Sequence, residues 1–283
     1  MGVDEGENLS MQPAGDTMPS APVLLPPPAS LAARMAGWFA VGTLFMLFGA
    51  PFAYRIGLLG EVPSIALFIL GVTTAICALA CGVWGLARAL TPSARVGGGP
   101  ASALSAAIGG MAIAGILYWM VLPGWDAPHI HDVTTSPGDP PEYLLLRGVH
   151  YARRDYLSYR DYDARSKGAV ARAYPQIRTL VFDRSLRQVF SAADAAARDL
   201  HWTVFVADPT RGRIEAADWA TIFGFVDDIV IRVRLNPAGY TVLDVRSASR
   251  TGAVDMGRNA RRIQQFTAAL HRHLPTVPSN RTP

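Results

Sequence analysis

The chain has 283 residues, of which 50% are hydrophobic and 17% charged, with 26 basic and 22 acidic side chains and six histidines. That length admits one membrane bundle and one domain of ordinary size, and the composition fits a mixture of the two. The two cysteines, Cys77 and Cys81, sit four residues apart within an apolar run, which excludes a disulfide framework in the polar half.

Residues 1–33 are acidic and then proline-rich, with Pro19, Pro22 and the triplet Pro26-Pro27-Pro28. Such a stretch buries no core and reads as a disordered tail. Its acidic start, followed by a long apolar run, differs from a secretory signal, so the first run is read as a retained anchor.

Three apolar runs follow, at about 35–54, 63–87 and 102–122, with no charged residue inside any of them. Each has the length that a helix needs to cross a hydrocarbon core. Together residues 34–123 predict a three-helix transmembrane anchor. Ala106, Gly110 and Ala114, at four-residue spacing, offer a face for close helix packing. The spans carry no ionisable relay of the kind that pumps and transporters use.

Arg34, Arg88 and Arg95 flank the spans on one side, and Arg55 alone lies in the other loop. The positive-inside rule then puts the N-terminus in the cytoplasm and the C-terminal half outside the inner membrane, in a periplasm where one exists. Trp38 and Trp84 would mark the inner interface, and Tyr54, Trp119 and Trp125 the outer one.

Residues 124–173 read as a tether and a variable insert, rich in Pro, Gly and Thr up to Tyr143. Residues 174–274 read as an α+β domain, and 275–283 as a disordered tail. Within the domain, Leu186, Val189, Phe190, Ala193, Ala197 and Leu200 recur at helical spacing, predicting a helix over 185–200. Four strand-like runs follow, at 201–207, 213–219, 225–235 and 240–249. The joins Asp208-Pro209-Thr210-Arg211-Gly212 and Asn236-Pro237-Ala238-Gly239 are turn sequences, so the strands form an antiparallel meander. A last helix, 255–274, buries Met256, Ala260, Ile263, Phe266 and Leu270 and takes Asp255 as N-cap. The expected fold is thus membrane-anchored α+β: three spans, then a four-stranded meander flanked by two helices.

Strand alternation sorts the sheet into two faces. Ile229, Ile231, Val233, Leu235, Leu243 and Val245 are expected to point toward the helices. Glu215, Asp228, Arg232, Arg234, Asp244 and Arg246 point away, as an ion-paired and exposed lattice or as a ligand-binding or dimer face. Ser247, Ser249, Arg250 and Arg258 gather before and at the start of the last helix, where they could complete an anion pocket unless Asp255 caps the helix. His129-Ile130-His131-Asp132 holds metal-type ligands, but the other histidines add no matching spacing, so no metal is assigned. No nucleophile elbow or cofactor-binding loop occurs, and no cofactor is expected.

Several segments together resemble the family catalogued as domain of unknown function 1499. They are Ile130-His131-Asp132-Val133-Thr134-Thr135, Asp139-Pro140-Pro141, Tyr174-Pro175-Gln176-Ile177, Gly212-Arg213-Ile214-Glu215-Ala216 and Phe225-Val226-Asp227-Asp228-Ile229-Val230-Ile231-Arg232. The succession ends with Asp244-Val245-Arg246-Ser247-Ala248-Ser249-Arg250 and Asp255-Met256-Gly257-Arg258-Asn259-Ala260, with Arg262-Ile263 behind it. The resemblance spans about 128–272 and implies no reaction. It does place His131, Asp132, Glu215, Asp228, Arg232, Asp244, Arg246, Ser249 and Arg250 on the family's motifs.

Beyond Trp125 the chain holds 22 basic and 17 acidic residues, and all of those cations except Lys167 are arginines. The expected function is a non-catalytic membrane protein of the cell envelope. Its domain would bind an anionic lipid, glycan or protein rather than nucleic acid. One alternative is a hydrolase or transferase at the membrane surface, using Glu215, Asp228 or Asp244 with Arg246 and Arg250. Another is a structural subunit of a membrane complex.

Overall fold

A computed structural model describes residues 27–92, 96–122, 127, 130–146, 164–250 and 255–274. Residues 1–26 of the expected 1–33 tail, the expected tail at 275–283 and residues 147–163 of the insert lie outside the described residues, as do His129 and Trp125.

Three helices open the described chain: α1 (Leu31–Arg55), α2 (Glu61–Ala89) and α3 (Gly99–Ile116), the last running on into a π-helical turn, Leu117–Val121. All three are long and apolar enough to cross a membrane. Ser30 begins α1 by accepting the Ala33 amide hydrogen at 3.1 Å. Large side chains such as Trp38, Phe45, Phe48, Trp84 and Trp119 point outward, while Ala36, Ala40, Ala75, Ala78, Gly82 and Gly109 fill the interior. This is the inverse of a soluble bundle and the arrangement expected where lipid is the solvent.

The close approach of α2 and α3 runs through Gly82 and Gly109. A Cβ on Gly82 would stand 2.6 Å from the Ala106 nitrogen, and one on Gly109 would stand 2.5 Å from the Ala75 carbonyl oxygen. The expected packing face, Ala106-Gly110-Ala114, is therefore corrected in part: Ala106 does meet Gly82. Gly110 meets only the tip of Leu79 and Ala114 is exposed, so the buried stripe is Ser102, Ser105 and Gly109.

The polar half is an antiparallel sheet of six strands, not four: β1 (Asp132–Thr134), β2 (Leu180–Phe182), β3 (Thr203–Asp208), β4 (Arg213–Trp219), β5 (Val226–Leu235) and β6 (Thr241–Ser249). The order is β1-β6-β5-β4-β3, with β2 also paired to β6. The four expected strands form the meander β3 to β6. The two extra strands are three residues each and lie end to end along β6, β1 against 246–248 and β2 against 241–243. Three residues are too few to show a period, which is why the sequence hides them. Both edges of β6 are thereby paired, and all nine of its residues are buried.

Helices α4 (Ala164–Ala173), α5 (Leu186–Asp199) and α6 (Arg258–His273) supply the helical layer. A capping box starts α5: Ser185 Oγ accepts the Gln188 amide hydrogen, and the Gln188 side chain accepts that of Ser185. The main core joins Val189, Ala193 and Ala197 of α5 and Ile263, Phe266 and Leu270 of α6 to Ile214, Ile229, Ile231, Leu243 and Val245 of the sheet. Trp202 stacks on Phe266 at 5.4 Å.

The turns follow their sequences. Asp208 Oδ1 accepts the amide hydrogens of Thr210 and Arg211, and the Asn236 side-chain oxygen accepts those of Ala238 and Tyr240. Gly212 has φ +60°, and a side chain there would strike the Val233 carbonyl.

Candidate functional site

The polar face of the sheet is covered. Residues 139–146 lie across it, and Tyr143, Leu146, Val230 and Ala248 form a second, smaller core beneath them. The alternation that put Glu215, Asp228, Arg232, Asp244 and Arg246 on one face holds. The expectation of an exposed lattice does not, because Asp228 and Asp244 are both 0% exposed. Charges in such a place require partners, and each of these has one.

Arg246 on β6 grips Asp132 on β1. Its Nε lies 3.0 Å from Oδ1 and its Nη2 2.6 Å from Oδ2, while Nη1 donates to the Pro141 carbonyl at 3.1 Å. The Tyr143 ring lies 5.1 Å from the same guanidinium, and its hydroxyl donates to the Asp228 carbonyl. Burial, with the charges of Asp132 and Asp228 adding to it, pushes the Tyr143 hydroxyl well above its ordinary value, so it remains a donor.

Arg250 holds Asp228 by two donors, Nε at 3.0 Å and Nη2 at 2.8 Å to Oδ1. Arg232 reaches Asp244 at 2.8 Å and Asp139 at 2.9 Å, and Thr179 donates to Asp244 at 2.6 Å. Glu215 accepts three consecutive backbone amide hydrogens, from Leu144 at 2.8 Å and from Leu145 and Leu146 at 3.0 Å. Arg213, beside it, donates to the Glu142 carbonyl. Glu215 therefore pins residues 144–146 onto the sheet, Arg232 and Arg246 tie down Asp139 and Pro141, and the Asp228 and Asp244 carboxylates are spent on ion pairs within the domain.

Ser249 and Arg258 lie on the opposite, helix-covered face, in a second polar cluster. Arg262 is its hub. Its Nε donates to Asp218 at 2.9 Å, Nη2 to Asp227 at 2.6 Å, and Nη1 to Asn259 at 2.8 Å and Ser247 at 3.1 Å. Burial opposes its charge, yet Asp227 and Asp218 together raise its pKa. Arg258 also pairs with Asp227.

The anion pocket expected before the last helix is filled from within. Asp255 accepts the amide hydrogens of Gly257 and Asn259, both at 2.8 Å, although α6 itself begins at Arg258 with Gly257 as N-cap. The Asn259 amide donates to Ser249 Oγ and to the His131 carbonyl, each at 3.0 Å. His131 thus meets this cluster through its backbone, whereas its neighbour Asp132 points to the other face. The sheet separates Ser249 and Arg258 from Glu215, Asp228, Arg232, Asp244, Arg246 and Arg250. Among the described residues no group of three histidine, cysteine or acidic side chains could hold a metal ion.

Sequence reasoning nominated none of Asp139, Tyr143, Asp218, Asp227 and Arg262 for the site, although Asp139, Asp227 and Arg262 stand in the family segments. The signal for Asp227 was present: it adjoins Asp228 in a strand, so the two must face opposite sides. Arg262 falls within the apolar stripe of α6, four residues after Arg258, a position that only a buried partner explains.

Residues 132–270 match the sequence model of a family described as a protein of unknown function, DUF1499. The polar half of this chain is a DUF1499 domain. Its first matched residue, Asp132, is the first residue of β1, and the match closes within α6. In this protein the DUF1499 domain follows three helices able to span a membrane. No curated protein matches the chain.

Proposed function

We propose that the protein is a non-catalytic, membrane-anchored module of the cell envelope, with the DUF1499 domain outside the inner membrane and bound to an acidic glycan or protein. The observation that carries this reading is the pairing of the nominated charges with one another. Asp132, Glu215, Asp228 and Asp244 are held by internal donors, so they are stabilising links, and the arginines opposite them are committed to the same links.

The cations that remain are elsewhere. Arg178, Arg184 and Arg187 are exposed and have no carboxylate partner among the described residues. They flank β2, which pairs with the start of β6. That is the end of the sheet remote from the β4–β5 loop, about 30 Å along the length of β5. An anionic partner standing off the membrane would meet these side chains first. The flanking arginines Arg34, Arg88 and Arg95, against Arg55, support the N-in orientation.

The test is crosslinking of the full chain in native membranes through photoreactive side chains at the neighbouring exposed positions 176, 181 and 183. An acidic partner should be captured, and capture should be lost on joint charge reversal (R178E, R184E, R187E). Unchanged capture after that reversal would refute the reading. Reporter fusions after Gly60, Val96 and Pro283 check the orientation, and a cytoplasmic reporter at Pro283 would overturn the compartment.

A further inference from the structure

The β4–β5 loop, residues 220–225, meets the anchor. Phe225 packs edge-on against Tyr54 near the end of α1, with ring centroids 5.1 Å apart, and Phe223 packs against Phe68 of α2 at the same distance. Phe223 and Phe225 stack on each other at 4.9 Å. The depth of this contact follows from the helix register. A Cβ on Gly71 would stand 2.9 Å from Leu47, so Gly71 and Leu47 lie at one level. Phe68 is then level with about Ala50, roughly 7 Å further into the bundle than Arg55. The loop therefore passes the end of α1 and enters the zone of the apolar helix surfaces.

A loop can enter such a zone only if its backbone polar groups are satisfied. Arg55 donates to the carbonyls of Ala220 and Thr221. Ala220 donates its amide hydrogen to Phe225 and accepts that of Gly224, both at 2.7 Å. With the loop's inner aromatics on the anchor, Trp219 at the end of β4 and Ile222 in the loop face outward, 45% and 40% exposed. Tryptophan beside an aliphatic side chain suits the boundary between head groups and acyl chains.

The geometry points to the β4–β5 loop as a lipid-inserted wedge, with Trp219 and Ile222 in contact with the membrane interface beside α1 and α2. The occupant of this apolar surface is lipid because the same loop sets Phe225 and Phe223 against Tyr54 and Phe68 of two helices able to span a membrane. The domain is then held at the membrane by two attachments, the covalent one through α3 and this wedge. Nothing in the placement depends on which side of the membrane the loop faces.

The experiment uses the full chain in phosphatidylcholine–phosphatidylglycerol vesicles. Cys77 and Cys81 are changed to serine, and a nitroxide is attached to Ile222→Cys or, as a reference, to Ala238→Cys on the far β5–β6 turn. At position 222 the nitroxide should collide severalfold more often with oxygen than with a water-soluble nickel complex, and at 238 the order should reverse. Equal preference for the nickel complex at both positions would overturn the wedge. A second measurement needs no substitution: a photoactivatable lipid should label residues 219–225 of the unmodified chain as well as α1–α3. Label confined to α1–α3 would equally overturn it.

Discussion

Arg246 on β6 and Asp132 on β1 form a two-pronged ion pair, 2.6 Å at its shortest, beneath the ring of Tyr143. The pair joins the last strand of the domain to the first, across more than a hundred residues of sequence. Removing one partner leaves the other buried and uncompensated, which costs about 3–5 kcal/mol. Arg246→Met and Asp132→Asn should each lower the thermal midpoint of the full chain in detergent sharply. The double variant should be less unstable than the sum of the two. Strict additivity would show that the pair is not coupled.

Glu215 tests a different use of a buried carboxylate. It gathers the amide hydrogens of Leu144, Leu145 and Leu146. Glu215→Gln keeps the shape but presents an NH2 group to amides that need an acceptor. The expected loss is about 2–3 kcal/mol, since hydrogen bonds to a charged acceptor are stronger than neutral ones. Limited proteolysis should then cut sooner after Leu146. An unchanged digestion pattern and an unchanged midpoint would contradict this role.

Two acids should shape stability against pH in opposite directions. Burial raises the Asp255 carboxyl above 3.8, with the charge of Asp227 adding to it and amide hydrogen bonds from Asn259 and Gly257 opposing. The folded state therefore holds this proton more tightly than the unfolded chain. Its contribution is fully present below pH 3.8 and falls as pH rises through the raised value. For Asp139 the hydrogen bond from Arg232, helped by the charges of Arg232 and Arg234, lowers the pKa below 3.8, while burial opposes it. Its contribution is present above pH 3.8 and is lost as pH falls through the lowered value. Denaturation of Asp255→Asn and Asp139→Asn beside the unmodified chain, across pH 2–7, should show the stability differences moving with these opposite slopes. A flat difference at either position would remove that assignment.

Gly109 and Gly110 are neighbours with opposite roles. Gly109 lets α3 touch the α2 backbone, while Gly110 has only the Leu79 tip at 3.8 Å. Gly109→Val should separate the helices and lower the detergent midpoint by several degrees, whereas Gly110→Val should leave it nearly unchanged. Equal effects would mean a different packing face.

The elements that repeat a period long enough to be counted were legible: three spans, α5, α6 and the strands of the meander. The apolar spacing from Leu186 to Leu200 announced α5, and Asn236 and Gly212 announced turns. The three-residue strands β1 and β2 were not legible, because pairing with β6 rather than any local pattern makes them strands. The candidate site was half legible. Alternation assigned Asp228, Arg232, Asp244 and Arg246 to one face correctly. It could not show that residues 139–146 fold back over that face, since nothing local in Pro140-Pro141-Glu142-Tyr143 names its destination. The same omission concealed Arg262, whose partners Asp218 and Asp227 lie on two other elements.

The outer margin of β6 is shared by two short pieces with 45 residues between them. Part of that connection belongs to the fold: residues 139–146 cover the polar face, and Val170 of α4 joins the core. Doubling the length of a loop costs only about 0.6 kcal/mol in closure entropy, so a reporter module spliced between Leu146 and Ala164 should leave the fold standing.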